Sequence, residues 1–127
     1  MTKTALKPEG MSGVGPYSIA IKSGGVVYLS GQVHMDPESG KLVEGDIGSQ
    51  TRQCLENLKR VLAADGLTFA DVVKCTVFLV DMGDFADVNK VYAEYMIEPF
   101  PARSCIQVAG LPLGARVEIE AIATAKA

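Results

Sequence analysis

An arginine lies inside a run that otherwise predicts a buried strand. The segment FPARSCIQV places Arg103 among apolar residues, and a guanidinium needs an anion or water around it. By the two-residue period of a strand, Arg103, Cys105 and Gln107 share one face. A guanidinium can bind both oxygens of a carboxylate through two parallel hydrogen bonds. Arg103 is therefore a candidate for binding an anionic ligand, and an ion pair with Glu118 or Glu120 is the alternative.

Two carboxylates occupy alternate positions in the last apolar run of the chain. In RVEIEAIA, Glu118 and Glu120 share one strand face, whereas Val117 and Ile119 share the other. If helices cover the apolar face, the face with the carboxylates must meet a partner subunit or line a cleft. A solvated strand face explains the same pair equally well, so both interpretations stay open.

The other candidate residues are weak signals when each is taken alone. Cys105 is typical of a small buried residue, because the sequence supplies no histidine nearby to activate its thiol. Tyr17 in GPYS is typical of a turn, and Asn89 in DVNKVY is typical of the hydrated side of a helix. His34 is predicted to end a strand without a chemical role.

Apolar periodicity predicts the elements that position these residues. In chain order they are two strands within residues 17–33 joined at Ser23-Gly24-Gly25, a helix between Asp46 and Ala64, a strand over 71–81, a helix capped by Asp84 and ended by Pro99 and Pro101, and strands over 104–108 and 116–123. The order β-β-α-β-α-β-β predicts an α+β fold in which two helices cover one face of a single sheet.

The second face of this sheet needs a partner. Hydrophobic residues make up 48% of the 127 residues, which is high for a small monomer. If the helices cover one face, the other face must meet another subunit or line a cleft. The composition therefore predicts an oligomer that associates through its sheet.

Composition also argues against several classes of protein. The 12 basic and 15 acidic residues give a net charge of −3, and no basic run is present to follow a nucleic acid backbone. No uncharged stretch approaches the roughly 20 residues that cross a bilayer, and MTKTALKPEG lacks the apolar core of a signal peptide. We therefore expect a cytoplasmic protein with neither a nucleic acid nor a membrane partner.

The cysteines and the histidine predict neither disulfides nor a metal centre. Cys54, Cys75 and Cys105 are odd in number and widely spaced, so they match neither a disulfide framework nor a CxxC site. A zinc centre would lack ligands, because His34 is the only histidine.

Four segments together are far more specific than any single residue. GPYS, YLSGQ, DVVKCTVFLVDMGDFADVNKVYAEY and FPARSCIQVAGLPLGARVEIEAIA resemble the RidA/YjgF family of enamine/imine deaminases. The resemblance runs from about Gly15 to Ala123, which describes residues 1–127 as a single RidA-like domain. It implies a chorismate-mutase-like fold in which the final strand inserts between earlier strands. It also implies a homotrimer with active sites in the clefts between subunits.

The resemblance implies an activity as well. Members of the family hydrolyse reactive 2-enamino and 2-imino acids, such as 2-aminoacrylate/2-iminopropanoate and 2-iminobutanoate, to a 2-keto acid and ammonia without a cofactor. Arg103 matches the arginine that binds the substrate carboxylate, and Glu118 matches the residue proposed to orient or deprotonate water and to protonate the leaving nitrogen. Further substrate-binding positions are implied at the backbone of Cys105 and of Ser30 or Gly31, and at Tyr17 and Asn89, which would line the cleft.

A function of another class remains open at this point. The same trimer could serve as a metabolite-binding or protein-stabilising module without catalysis. Arg103 distinguishes the two hypotheses, because a scaffold has no need of a guanidinium that faces a cleft.

Overall fold

The computed structural model describes residues 2–126, which form a six-stranded sheet and two α-helices. The elements are β1 (Thr4–Leu6), β2 (Ala20–Ser23), β3 (Val26–Val33), α1 (Ile47–Ala63), β4 (Val72–Leu79), α2 (Phe85–Tyr95), β5 (Ala102–Gln107) and β6 (Val117–Thr124). The predicted α+β fold is confirmed. Strand β1 is an addition that the sequence did not predict, because three residues are too few to show a period.

The last strand lies in the middle of the sheet. The strand order is β1-β2-β3-β6-β4-β5, so β6 pairs with β3 and β4 and does not pair with β5, its neighbour in sequence. Strands β4 and β5 are parallel, and the other pairs are antiparallel. The insertion implied by the family resemblance is therefore confirmed, and β5 is left as an edge strand.

The alternation in β6 decides which face of the sheet is covered. Its apolar residues, Val117, Ile119, Ala121 and Ala123, are at most 3% exposed and belong to the core that also contains the apolar face of α1. Burying a side chain such as Ile119 stabilises the fold by about 1.5–3 kcal/mol. Glu118 and Glu120 alternate with these apolar residues and therefore lie on the face that no helix covers.

Helix α1 begins after Asp46, whose carboxylate accepts a hydrogen bond from the Ser49 N–H at 2.8 Å.

Helix α2 begins where predicted, but its first turn is not capped by Asp84. The Asp84 backbone is already helical, with φ −83° and ψ −4°, so its side chain does not lie in the extended geometry of a cap. Its carboxylate accepts a hydrogen bond from Arg116 Nη2 at 3.3 Å instead. The predicted Asp84 cap is therefore wrong. Asp81 caps the preceding 3-10 turn and accepts a hydrogen bond from the Gly83 N–H at 2.8 Å.

The single histidine links three parts of the fold. His34 directly follows β3, as predicted, and is 3% exposed. Its Nε2 accepts a hydrogen bond from the Arg116 N–H at 3.0 Å, and its Nδ1 lies 3.0 Å from the Val43 carbonyl oxygen. This arrangement assigns the proton to Nδ1 of a neutral ring. Burial, as the largest cause, holds the pKa of His34 below its ordinary value of 6.5.

We expect His34 to make the fold less stable as the pH is lowered. Its pKa is 6.5 when unfolded and lower when folded, so the unfolded state takes up the proton first and gains stability below about pH 6.5. Urea unfolding of the wild type and of His34→Gln between about pH 7.5 and 5 measures this effect. The free energy of unfolding should fall more steeply in the wild type over this range, and parallel curves would contradict the assignment.

Candidate active site

The predicted site residues form two groups in a single chain. Arg103, Cys105 and Asn89 lie on β5 and α2 at one edge of the sheet. The second group contains Glu118 on β6 with Gly31 of β3 beside it. It also includes Ser30 of β3, whose Oγ donates to the Ser18 carbonyl at 2.6 Å, and Tyr17, which precedes Ser18 in the loop before β2.

Arg103 leaves the edge strand on the side that the helices cover. In the parallel ladder it lies opposite Cys75, which is fully buried on that side. Its Nη1 donates a hydrogen bond to Asn89 Oδ1 at 2.7 Å. Its Cζ lies 4.8 Å from the centroid of the Tyr92 ring and 5.5 Å from that of Phe85. Helix α2 therefore supplies the hydrogen bond and both aromatic contacts of this guanidinium.

No ion pair within residues 2–126 compensates the charge of Arg103. The ion pairs of residues 2–126 join Lys22 to Asp65, Arg52 to Glu94 and Arg116 to Asp84, and none of them involves Arg103. The pair with Glu118 or Glu120 that the sequence left open is thus not formed in the single chain. An exposed, oriented and unpaired guanidinium is available for an anionic ligand.

Glu118 lies on the uncovered face of the sheet and is half-buried there. It stands opposite Phe78 on β4 and Val33 on β3. Burial is the main cause that raises the pKa of Glu118, and the charge of Glu120 raises it further. This carboxyl group can therefore exchange protons closer to neutral pH than an ordinary glutamate.

Gly31 allows the Glu118 carboxylate to approach the backbone of β3. A Cβ atom at Gly31 would overlap the Glu118 carboxylate, so glycine is required by this close approach. The β3–β6 register shifts between Leu29 and Gln32, which places Ser30 and Gly31 in an irregular part of the ladder. The Ser30 N–H already donates to the Ile19 carbonyl at 2.9 Å. Of the two predicted backbone donors, Gly31 is thus the better candidate.

The geometry of the two remaining candidates, Tyr17 and Cys105, indicates supporting roles. Tyr17 is 52% exposed in the loop before β2, and its hydroxyl oxygen accepts a hydrogen bond from the Val14 N–H at 3.4 Å. Cys105 is partly buried on the same face of β5 as Arg103, and burial raises the pKa of its thiol. A protonated thiol is a poor nucleophile, so the geometry favours a structural or backbone role for Cys105.

A single chain does not bring the arginine and the glutamate together. Strand β4 lies between β5 and β6, and adjacent strands are about 4.8 Å apart. In addition, Arg103 leaves the helix-covered face and Glu118 leaves the opposite face, as their partners Cys75 and Phe78 show. One small substrate cannot contact both groups of the same chain.

Sequence reasoning missed the aromatic contacts of Arg103. Tyr92 is buried in the core, whereas Phe85 is partly exposed at the start of α2. Both rings also face the guanidinium. The spacing of Phe85, Asn89 and Tyr92, at i, i+4 and i+7 of one helix, places them on a common face and was the available signal.

Neither a metal cluster nor a membrane-spanning helix is found among residues 2–126. No three potential metal-ligating side chains of His, Cys, Asp or Glu come together in this part of the chain. No helix within it is both long and apolar enough to cross a bilayer.

The fold and the two groups of residues define the class of protein. It is an α+β protein of the chorismate-mutase-like kind, with a free arginine at one sheet edge and a glutamate of raised pKa on the open face. Residues 8–125 match the family model described as Endoribonuclease L-PSP. The chain therefore belongs to this family, and its resemblance to the RidA/YjgF proteins is confirmed.

Individual relatives match over most of their length. The chain is 51% identical over 122 residues to a RutC family protein of Pyrococcus horikoshii, which covers 96% of this chain and 93% of that protein. It is 51% identical over 110 residues to the 2-iminobutanoate/2-iminopropanoate deaminase of Bos taurus, covering 87% and 80%. The crystal structure of E. coli TdcF with bound serine has a TM-score of 0.89 at 36% identity, covering 97% and 99%.

Proposed function

We propose that this protein hydrolyses reactive 2-enamino and 2-imino acids to 2-keto acids and ammonia. The free guanidinium of Arg103 is the observation that carries the proposal, because such substrates have a carboxylate next to an electrophilic C=N bond. The relative named 2-iminobutanoate/2-iminopropanoate deaminase and the relative solved with serine support a small carboxylate substrate. The net charge of −3 argues against a nucleic acid substrate, despite the family description.

The two groups of residues divide the reaction between them. Arg103 binds both oxygens of the substrate carboxylate and so orients the C=N bond, with Asn89 and the Cys105 backbone beside it. Glu118 orients a water molecule and accepts its proton as the oxygen adds to the imine carbon. The protonated carboxyl group then returns the proton to nitrogen, which gives a carbinolamine. Glu118 next transfers the hydroxyl proton to the nitrogen, the C–N bond breaks to release ammonia, and the carbon becomes the ketone of the 2-keto acid. Tyr17 and Gly31 line the side next to Glu118.

This division requires a second copy of the chain. Because Arg103 and Glu118 leave opposite faces of one sheet, we place Arg103 of one protomer next to Glu118 of another. The open face carries exposed apolar side chains that association would bury, including Tyr28 at 49% and Ile106 at 46% exposure. A homotrimer with its sites between subunits satisfies both requirements.

We expect the protein to have a solution mass of about three times 13.4 kDa. Light scattering at micromolar concentration measures it. Ile106→Glu places a charge on the open face of the sheet and should lower the mass, because association would bury that charge. Ala93→Glu, on the exposed side of α2, adds the same charge elsewhere and should leave the mass unchanged. A stable wild-type monomer would contradict both the trimer and the shared site.

The proposed activity is tested by a coupled assay. A pyridoxal-phosphate enzyme that eliminates water from serine or threonine releases 2-aminoacrylate or its four-carbon homologue in the cuvette. We expect the protein to accelerate the formation of the 2-keto acid and ammonia above the spontaneous rate. Binding of the 2-keto acid without any acceleration would instead favour the non-catalytic metabolite-binding module.

A further inference from the structure

The guanidinium of Arg103 is held in place by a neutral bracket on helix α2. The bracket consists of Phe85, Asn89 and Tyr92, which share one face of the helix. The Asn89 Oδ1 accepts a hydrogen bond from Arg103 Nη1 at 2.7 Å. The centroids of the Phe85 and Tyr92 rings lie 5.5 and 4.8 Å from Arg103 Cζ, respectively. The helix therefore sets the orientation of a side chain that belongs to the neighbouring edge strand.

The chemistry of the bracket preserves the charge of Arg103. A carboxylate at the position of Asn89 would hold the guanidinium equally well, but it would also compete with any anionic ligand. An amide oxygen and two aromatic faces bind the cation and leave its charge uncompensated. The Asn89 contact occupies one N–H of Nη1, so most of the five guanidinium N–H donors remain for a ligand.

Tyr92 anchors the bracket in the protein core. The residue is 7% exposed, and its buried hydroxyl has no hydrogen-bond partner that meets ordinary geometry among residues 2–126. Burial is the main cause that raises the pKa of both the Tyr92 hydroxyl and the buried Cys75 thiol, and the two groups lie close enough to shift each other's pKa as well. Tyr92 thus contributes the face of its ring to Arg103, while the body of the ring is fixed by packing.

We propose that Phe85, Asn89 and Tyr92 are positioning residues that present the Arg103 guanidinium to a carboxylate ligand and do not themselves bind that ligand. The proposal rests on the proposed function for the identity of the ligand. It changes the expected role of Asn89, which the sequence resemblance placed on the wall of the cleft. It also gives a reason for the apolar side chain of Phe85 to remain 36% exposed at the surface.

The orientation of Arg103 can be measured without any activity. In 15N NMR spectra of the assembled protein, we expect separate Nη resonances for Arg103, because stacking and the Asn89 hydrogen bond slow rotation of the guanidinium. Arg103→Lys assigns these resonances by their loss. Phe85→Leu and Asn89→Ala should merge them, whereas Phe85→Trp keeps an aromatic face and should restore them.

Ligand binding supplies a second readout, with 2-oxobutanoate as the probe. Phe85→Leu should weaken its binding about two- to fivefold, which is the worth of one exposed cation–π contact, and Phe85→Trp should recover it. Asn89→Asp should keep Arg103 ordered in the spectrum and yet weaken binding several-fold, because the new carboxylate competes with the ligand. Val88→Ala removes buried packing from the same helix and should lower the melting temperature without merging the Arg103 resonances.

The outcomes separate this proposal from the proposed function. Averaged Arg103 resonances in the wild type, or separate ones that persist in both Phe85→Leu and Asn89→Ala, would overturn the positioning role. Equal loss of binding in Phe85→Leu and Val88→Ala would also overturn it, since any damage to α2 would then suffice. A wild type that orders Arg103 through this bracket and binds 2-oxobutanoate, but does not hydrolyse imines, would refute the reaction and support the positioning role.

Discussion

Glu118→Gln is expected to lower kcat/KM for imine hydrolysis by about a hundredfold or more. A positioned general acid–base typically contributes about 10²–10⁴ to a rate, and glutamine keeps the shape of the side chain while it loses the transferable proton. The raised pKa of Glu118 predicts an acidic limb of the pH profile above the ordinary value of 4.5, since the carboxylate must be unprotonated to activate water. This limb should be absent in the variant.

Two further variants sharpen this prediction. Gly31→Ala places a methyl group where the Glu118 carboxylate lies, so it should displace the carboxylate and lower kcat/KM in the same direction. Glu120→Gln is the matched control, because Glu120 is exposed on the same face of β6 and two residues away. It should leave hydrolysis intact and move the acidic limb to lower pH, since its charge helps to raise the pKa of Glu118. Activity of Glu118→Gln within about threefold of the wild type would exclude the acid–base role.

Arg103→Lys is expected to lower kcat/KM at least tenfold, and Arg103→Ala should lower it further. Lysine keeps the charge but loses the planar fork, so the imine is no longer held in line with the attacking water. A lost charge-assisted hydrogen bond costs about 1.5–3 kcal/mol, and about 1.4 kcal/mol corresponds to a factor of ten. Steady-state kinetics on the same coupled assay measures the effect.

The stability of the Arg103 variants decides between a binding and a structural role. Arg103 is exposed and forms no ion pair within residues 2–126, so its loss leaves no buried carboxylate of its own chain unpaired. We therefore expect little change in melting temperature or solution mass. Arg52→Lys is the control, because Arg52 also contacts an aromatic ring, Tyr95, but is paired with Glu94. Arg103 variants that unfold or dissociate before they lose turnover would indicate a structural ion pair between subunits.

Local patterns were sufficient to predict most of the elements. The glycines at Gly24 and Gly25 have φ of 60° and 78°, as the predicted hairpin requires. Helix α1 starts after Asp46 because a carboxylate there can accept from a free backbone N–H. Asp84 shows the limit of such reasoning. Its chemistry suits a cap, but a nearby Arg116, 32 positions away in sequence, binds its carboxylate in the folded chain.

Alternation within a strand also predicted which residues share a face. It separated Glu118 from Ile119 on β6 and Arg103 from Ser104 on β5 correctly. It could not relate the faces of two different strands, because the two-residue period is defined only within each strand. The relation between Arg103 and Glu118 depends on the register of both strands against β4, which pairs Cys75 with Arg103 and Phe78 with Glu118.

The sequence by itself determined most of the elements, the apolar face of β6 and the candidate residues for binding a carboxylate or exchanging a proton, because these depend on side-chain chemistry and local period. Only the tertiary structure decided that Arg103 and Glu118 lie on opposite faces of the sheet and that α2 holds the guanidinium. The physical reason is that both facts arise from contacts between segments distant in sequence. Local period and side-chain chemistry carry no information about such contacts.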